Sequence, residues 1–129
     1  MDGFDTGFFF NLWDGQEHAH DRWISMTEGD DAAAVSSLTL FELSRHGLVG
    51  RIDRAFAETV VQRAGKAFDH ARVDPVDVLS RAARITHGMG LPMADALIAA
   101  SLEHVGADTL YTSDSDFAGY GGPMDIVFL

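Results

Sequence analysis

Short runs that suit a β-strand alternate with longer runs of helical periodicity along this chain, and that alternation limits the fold more than any other feature. A strand, a helix and another strand in repeated succession make a parallel sheet covered by helices on both faces. Gly3–Phe10 begins as a short strand and turns into a helix or loop near Gly7. Gln16–Thr27 reads as a helix with Trp23 and Ile24 on its apolar side, followed by a polar break at Glu28–Asp31. Ala32–Ser36 reads as a short buried strand, and Thr39–Gly47 as a helix whose apolar side is Leu40, Phe41, Leu43 and Leu48. Phe56, Val60, Val61 and Ala64 recur at helical spacing within Asp53–Phe68. A brief extended stretch, Ala71–Val73, stops at Pro75. Two helices follow, from Asp74 to about His87 and from Leu91 to about Val105, with Gly88 and Gly90 between them. Thr109–Tyr111 and Met124–Leu129 read as strands on either side of a Gly-, Ser- and Asp-rich loop at Ser113–Pro123. The expectation is one α/β domain spanning residues 1–129, a three-layer α/β/α arrangement around a mainly parallel sheet of about five strands.

Composition excludes several classes of chemistry. The chain has no cysteine, which removes disulfides, zinc–thiolate sites and a cysteine nucleophile. It has no apolar run near the roughly 20 residues that a membrane helix needs. Its acidic start does not resemble a secretory signal. A cytoplasmic protein is expected, with no membrane partner. The net charge is −11, from 15 Asp and 5 Glu against eight Arg and one Lys, Lys66. Such a charge repels nucleic acid at long range. We hypothesise adaptation to a high-salt cytoplasm, where a Debye length of roughly 3 Å at 1 M screens the repulsion and a large net charge maintains solubility. Maximal stability in dilute buffer would count against this.

With so many acidic residues, only context separates a few. Asp5 stands among aromatics in GFDTGFFF at the end of the first strand. Carboxylates rarely sit in such company unless paired, metal-bound or capping a helix. Glu42 lies in LTLFELS, where Thr39-Leu-Phe-Glu42 also matches a capping box. Asp95 falls in the first turns of a helix, where negative charge suits the dipole, yet its neighbours are apolar. Asp114 and Asp116 follow the fourth strand in YTSDSDF, where turn chemistry also favours Asp. A calcium loop starting at Asp114 is excluded, because Ala118 takes its fifth position and a strand follows instead of a helix. In open α/β sheets the site lies beyond the carboxyl ends of the strands, which is where these residues fall. Carboxylates crowded there repel one another unless divalent cations join them, and hard oxygen ligands suit Mg²⁺ or Mn²⁺.

These segments resemble the PIN domain family over nearly the whole chain: Asp5-Thr6, Glu42 in LTLFEL, LPMADALIAASLEHVGA and LYTSDSDF. The size is most similar to VapC-type toxins and their stand-alone relatives. The resemblance implies a PIN-like fold and an acidic metal-binding set of Asp5, Glu42, Asp95 and Asp114, with Asp116 assisting and Thr112 as a supporting hydroxyl. It also implies a homodimer and, in toxins, a small antitoxin that silences the site. The strand before Asp5 is shorter than the family pattern, and basic residues are sparse. Arg45, Arg51 and Arg54 are the candidate RNA contacts, with salt bridging on an acidic surface as their alternative role.

The expected activity is metal-dependent hydrolysis of phosphodiester bonds in RNA, single-stranded or in loops, by the toxin of a toxin–antitoxin pair. A housekeeping nuclease of RNA processing and a catalytically inactive binding module are the alternatives. Phe8–Phe10 reads as core more readily than as a base-stacking surface. His18 and His20, two apart, point away from each other on a helix and so do not read as a metal site. Met89 and Met93 read as core filler.

Overall fold

The computed structural model describes residues 1–129. Its elements are β1 (Asp2–Phe4), α1 (Thr6–Trp13), α2 (Glu17–Thr27), β2 (Ala33–Ser36), α3 (Ser37–Val49), α4 (Arg54–Ala67), β3 (Asp69–Ala71), α5 (Val76–Met89), α6 (Met93–His104), β4 (Thr109–Thr112) and β5 (Asp125–Phe128), with a 3-10 turn at Ser115–Gly119. The five strands form one sheet in the order β3-β2-β1-β4-β5, and every pairing is parallel.

The three-residue β1 is the centre of the sheet. Gly3 pairs with Ala34 on one side and Leu110 on the other. Its pairing with β4 continues past the strand end, where the Asp5 amide donates to the Tyr111 carbonyl at 3.3 Å. The chain winds outward from β1 to β3 and then returns to place β4 on the other side of β1. The topological switch therefore lies between β1 and β4, the place where such sheets open a crevice at their carboxyl edge.

Two apolar clusters cover the two faces. One joins Phe4, Val35 and Phe68 to α1, α2, α3 and α4 through residues such as Phe8, Phe9, Trp23 and Leu43. The other joins Ala34 and Leu110 to α5 and α6 through Val78, Ile85, Ile98 and Leu102. Phe8 and Phe9 are fully buried, so the aromatic run is core, and each such ring contributes roughly 1.5–3 kcal/mol. Helix α6 buries six consecutive-turn residues between Ala96 and Leu102, and its small alanines let it lie close to the sheet.

Several local expectations need correction. The buried stripe of α3 is Thr39, Leu43 and Gly47, spaced four apart, so Phe41 and Leu48 fall off it and are exposed. Ile24 is exposed beside buried Trp23 for the same reason. Met93 opens α6 on the solvent side, while Met89 packs against the core. The third strand lies at Asp69–Ala71, earlier than its apolar residues suggested, because at this sheet edge only Ala71 is buried.

Candidate active site

Four elements bring acidic side chains to the carboxyl edge of the sheet. Asp5 follows β1 and caps α1, its Oδ1 accepting from the Phe8 amide at 3.0 Å. Its Oδ2 accepts from the Thr112 hydroxyl. Thr112 ends β4 beside it, and its Oγ1 also accepts from the Asp114 amide at 2.9 Å. One threonine thus ties Asp5 to the turn that carries Asp114. Asp114 in turn accepts from the Asp116 amide at 2.9 Å and caps the 3-10 turn. The cap role of Asp5 and the turn role of Asp114 are real and leave both carboxylates facing the same cleft.

Glu42 is no capping box partner. Helix α3 starts from its N-cap Ser36, so Thr39 is already inside the helix. Glu42 Oε1 instead accepts from the Thr6 hydroxyl at 2.7 Å, and Thr6 lies 3.5 Å from Thr39 Oγ1. Asp95 sits in the first turn of α6, partly buried. Asp5, Glu42, Asp95 and Asp114 line one cleft of about 290 Å³, with Thr6 and His46 on the same wall. Asp95, Asp114 and Asp116 each bring a carboxylate oxygen within 4.8 Å of the others. Asp5 and Glu42 share the cleft without joining that closer group.

The electrostatics reflect the crowding. Burial, reinforced by the charges of Asp114 and Glu42, pushes Asp5 up to about 6, against the lowering effect of the Thr112 and Phe8 donors. Burial and the charges of Asp114, Asp116, Asp5 and Glu42 push Asp95 up to about 7. Such carboxylates gain most from a cation among them. The donor set is all oxygen, suited to Mg²⁺ or Mn²⁺, and so fits a hard divalent cation.

The basic residues divide. Arg45 and Arg51 are exposed and act on His46 through their charge, but neither lines the cleft. Arg54 binds Glu58 at 3.1 Å and lines a separate groove with Leu48 between α3 and α4. Sequence reasoning passed over Thr6, Ser113 and His46, all on the cleft wall. His46 is one helical turn from Glu42, a spacing that could have drawn attention to it.

Comparison with known proteins agrees with this architecture. The PIN domain family model matches residues 4–123. Among curated proteins none matches the chain. Among solved structures, a toxin–antitoxin complex from Klebsiella pneumoniae is similar at 22% identity and a TM-score of 0.70, covering 98% of this chain and 100% of that one. The sarcin–ricin loop cleaving toxin VapC20 of Mycobacterium tuberculosis is similar at 19% identity and a TM-score of 0.70, covering 94% and 95%. PAE2754 from Pyrobaculum aerophilum is similar at 26% identity and a TM-score of 0.63, covering 96% and 87%. A family match across almost the whole length and a five-stranded parallel sheet between two helical layers lead to one assignment: the chain belongs to the PIN domain family.

Proposed function

We propose that this protein is a divalent-cation-dependent endoribonuclease and the toxin of a toxin–antitoxin pair. The observation that carries the reading is the convergence of Asp95, Asp114 and Asp116 within 4.8 Å, beside buried Asp5, at the switch point of the sheet. The similarity to a toxin–antitoxin complex and to a sarcin–ricin loop cleaving toxin supports the biological setting. The intact carboxylate set favours an enzyme over an inactive binding module.

Asp95, Asp114 and Asp116 would hold the cation, with Asp5 and Glu42 completing the acidic wall. A divalent cation bound there supplies Lewis acidity toward water and the phosphoryl oxygens. Asp5, held by two donors, and Glu42, held by Thr6, present fixed acceptor oxygens that orient the attacking water. Water adds to phosphorus, the bridging P–O bond breaks, and the leaving oxygen takes up a proton. Thr112 keeps Asp5 and Asp114 in register. An RNA strand, single or looped, suits a short acidic cleft better than a rigid duplex track. Arg45 and Arg51, close enough in charge to act on His46, are the phosphate contacts in this reading. A homodimer, a small silencing antitoxin and a cytoplasmic site of action complete the proposal. No helix is long and apolar enough to cross a membrane.

The test is incubation with labelled single-stranded RNA, with and without Mn²⁺ or Mg²⁺, across a range of salt, beside Asp95→Asn. Cation-dependent cleavage that the variant loses is expected. No cleavage at any salt, by folded protein free of antitoxin, would overturn the nuclease reading.

A further inference from the structure

His46 is the one nitrogen-bearing side chain on the wall of the acidic cleft. It follows Glu42 by one turn of α3, and Phe10 meets its ring edge-on with centroids 4.9 Å apart. Its Nδ1 is buried and has no hydrogen-bond partner. A buried polar atom without a partner destabilises a fold, and an apolar ring of the same shape would avoid that. Packing against Phe10 therefore does not explain an imidazole here. The explanation lies with the other nitrogen, Nε2, of a side chain that lines the cleft.

The surroundings fix what that nitrogen can do. Burial, followed by the charge of Arg51, holds His46 below the ordinary histidine range, with Arg45 adding and Glu42 opposing. A neutral imidazole carries one N–H and one lone pair. With the lone pair on buried Nδ1, the single donor is Nε2–H. Carboxylates dominate the polar side chains of the cleft and offer a phosphodiester only repulsion. Beside the hydroxyls of Thr6 and Ser113, His46 is the only side-chain donor of the cleft, and Thr6 already donates to Glu42.

We propose that His46 is a substrate-contacting residue, whose Nε2–H donates to a phosphate oxygen of an RNA strand lying across the cleft. This rests on the nuclease reading and extends it to how an acidic site grips a polyanion. The contact is a neutral donor's, so it adds hold on the strand without competing for the carboxylates as a cation would.

The probe is a short labelled single-stranded RNA of mixed sequence, bound in Ca²⁺ and followed by fluorescence anisotropy, with melting temperatures measured alongside. His46→Phe keeps a ring against Phe10 and removes the donor. His46→Gln restores a donor. We expect His46→Phe to melt at or above the wild-type temperature while its Kd rises about tenfold or more, as loss of a hydrogen bond to a charged group implies. His46→Gln should bind within about threefold of wild type on the same grounds. In cleavage assays the loss should fall on KM rather than kcat. Wild-type binding that His46→Phe retains in full would overturn the inference and leave the nuclease reading intact. A parallel loss of melting temperature and binding in both variants would overturn it too, by making the ring structural. Failure of the wild type both to bind and to cleave RNA would instead remove the nuclease reading beneath it.

Discussion

The Thr6 hydroxyl donates to Glu42 Oε1 at 2.7 Å, joining the first turn of α1 to the middle of α3 across 36 residues of sequence. This bond holds Glu42 toward the cleft when its own helix would let it rotate into solvent. Thr6→Val keeps the shape and removes the donor. Cleavage efficiency, kcat/KM, should fall about tenfold, in line with loss of one hydrogen bond to a carboxylate, with little change in melting temperature. Unchanged kcat/KM would show that Glu42 needs no such restraint.

Asp95 stands among like charges that push it up to about 7. Asp95→Asn relieves that repulsion and removes a proposed ligand. Activity should drop on the order of a hundredfold or more, while the cation-free protein melts at a higher temperature than wild type. Mg²⁺ or Mn²⁺ should raise the melting temperature of wild type and leave that of the variant nearly unmoved. A cation response that survives in Asp95→Asn would remove Asp95 from the ligand set.

The raised values of Asp5, about 6, and Asp95, about 7, against an ordinary 3.8, also predict a pH dependence. Between these values the folded chain retains protons that the unfolded chain has released, so stability falls as pH rises. The contribution is complete below about 3.8 and is lost as pH climbs through 6 and 7. Melts in chelator from pH 4 to 8 should show wild type losing stability relative to Asp95→Asn across that window. Cleavage should rise across the same interval, as the carboxylates ionise. A flat difference between the two proteins would contradict the burial that sets these values.

Gly47 lies where α3 and α4 touch, and a Cβ there would meet Ala57 Cβ at 2.7 Å. Gly47→Ala must push the helices apart, at a cost of roughly 1–3 kcal/mol. Chemical denaturation should show the midpoint falling with little change in slope. A neutral or stabilising result would mean that α4 shifts freely over α3.

The net charge of −11 is spread over a surface with few basic partners. If it reflects a saline setting, the melting temperature should climb as KCl rises toward molar concentrations, and RNA cleavage should tolerate the same salt. Greatest stability in dilute buffer would defeat that idea.

The element order was legible because buried parallel strands and amphipathic helices carry different periods, and Gly50 and Gly90 end their helices in the left-handed conformation. The positions of Asp5 and Asp95 were legible because a carboxylate amid apolar residues needs a reason, and that of Asp114 because it follows a strand at the carboxyl edge of the sheet. Glu42 was ambiguous, since a capping box and a site carboxylate share one spelling, and only the N-cap of α3 at Ser36 removes the capping-box role. What the sequence hid depends on packing between distant segments. Phe41 and Leu48 look like core until the stripe through Leu43 is seen to run along the opposite side of α3. The bond from Thr6 to Glu42 and the orphan nitrogen of His46 exist only once α1 and α3 lie side by side.

The central strand, β1, can complete its ladder only when residues 109–111 arrive beside residues 2–4. Contacts that far apart close late, since chain entropy must be lost before they form. During synthesis the ribosome would therefore release residues 1–112 before Asp5 and Thr112 could meet. A growing chain that stalls short of β4 leaves Asp5 without Thr112, so the cell would meet the assembled cleft only on chains that have grown past β4.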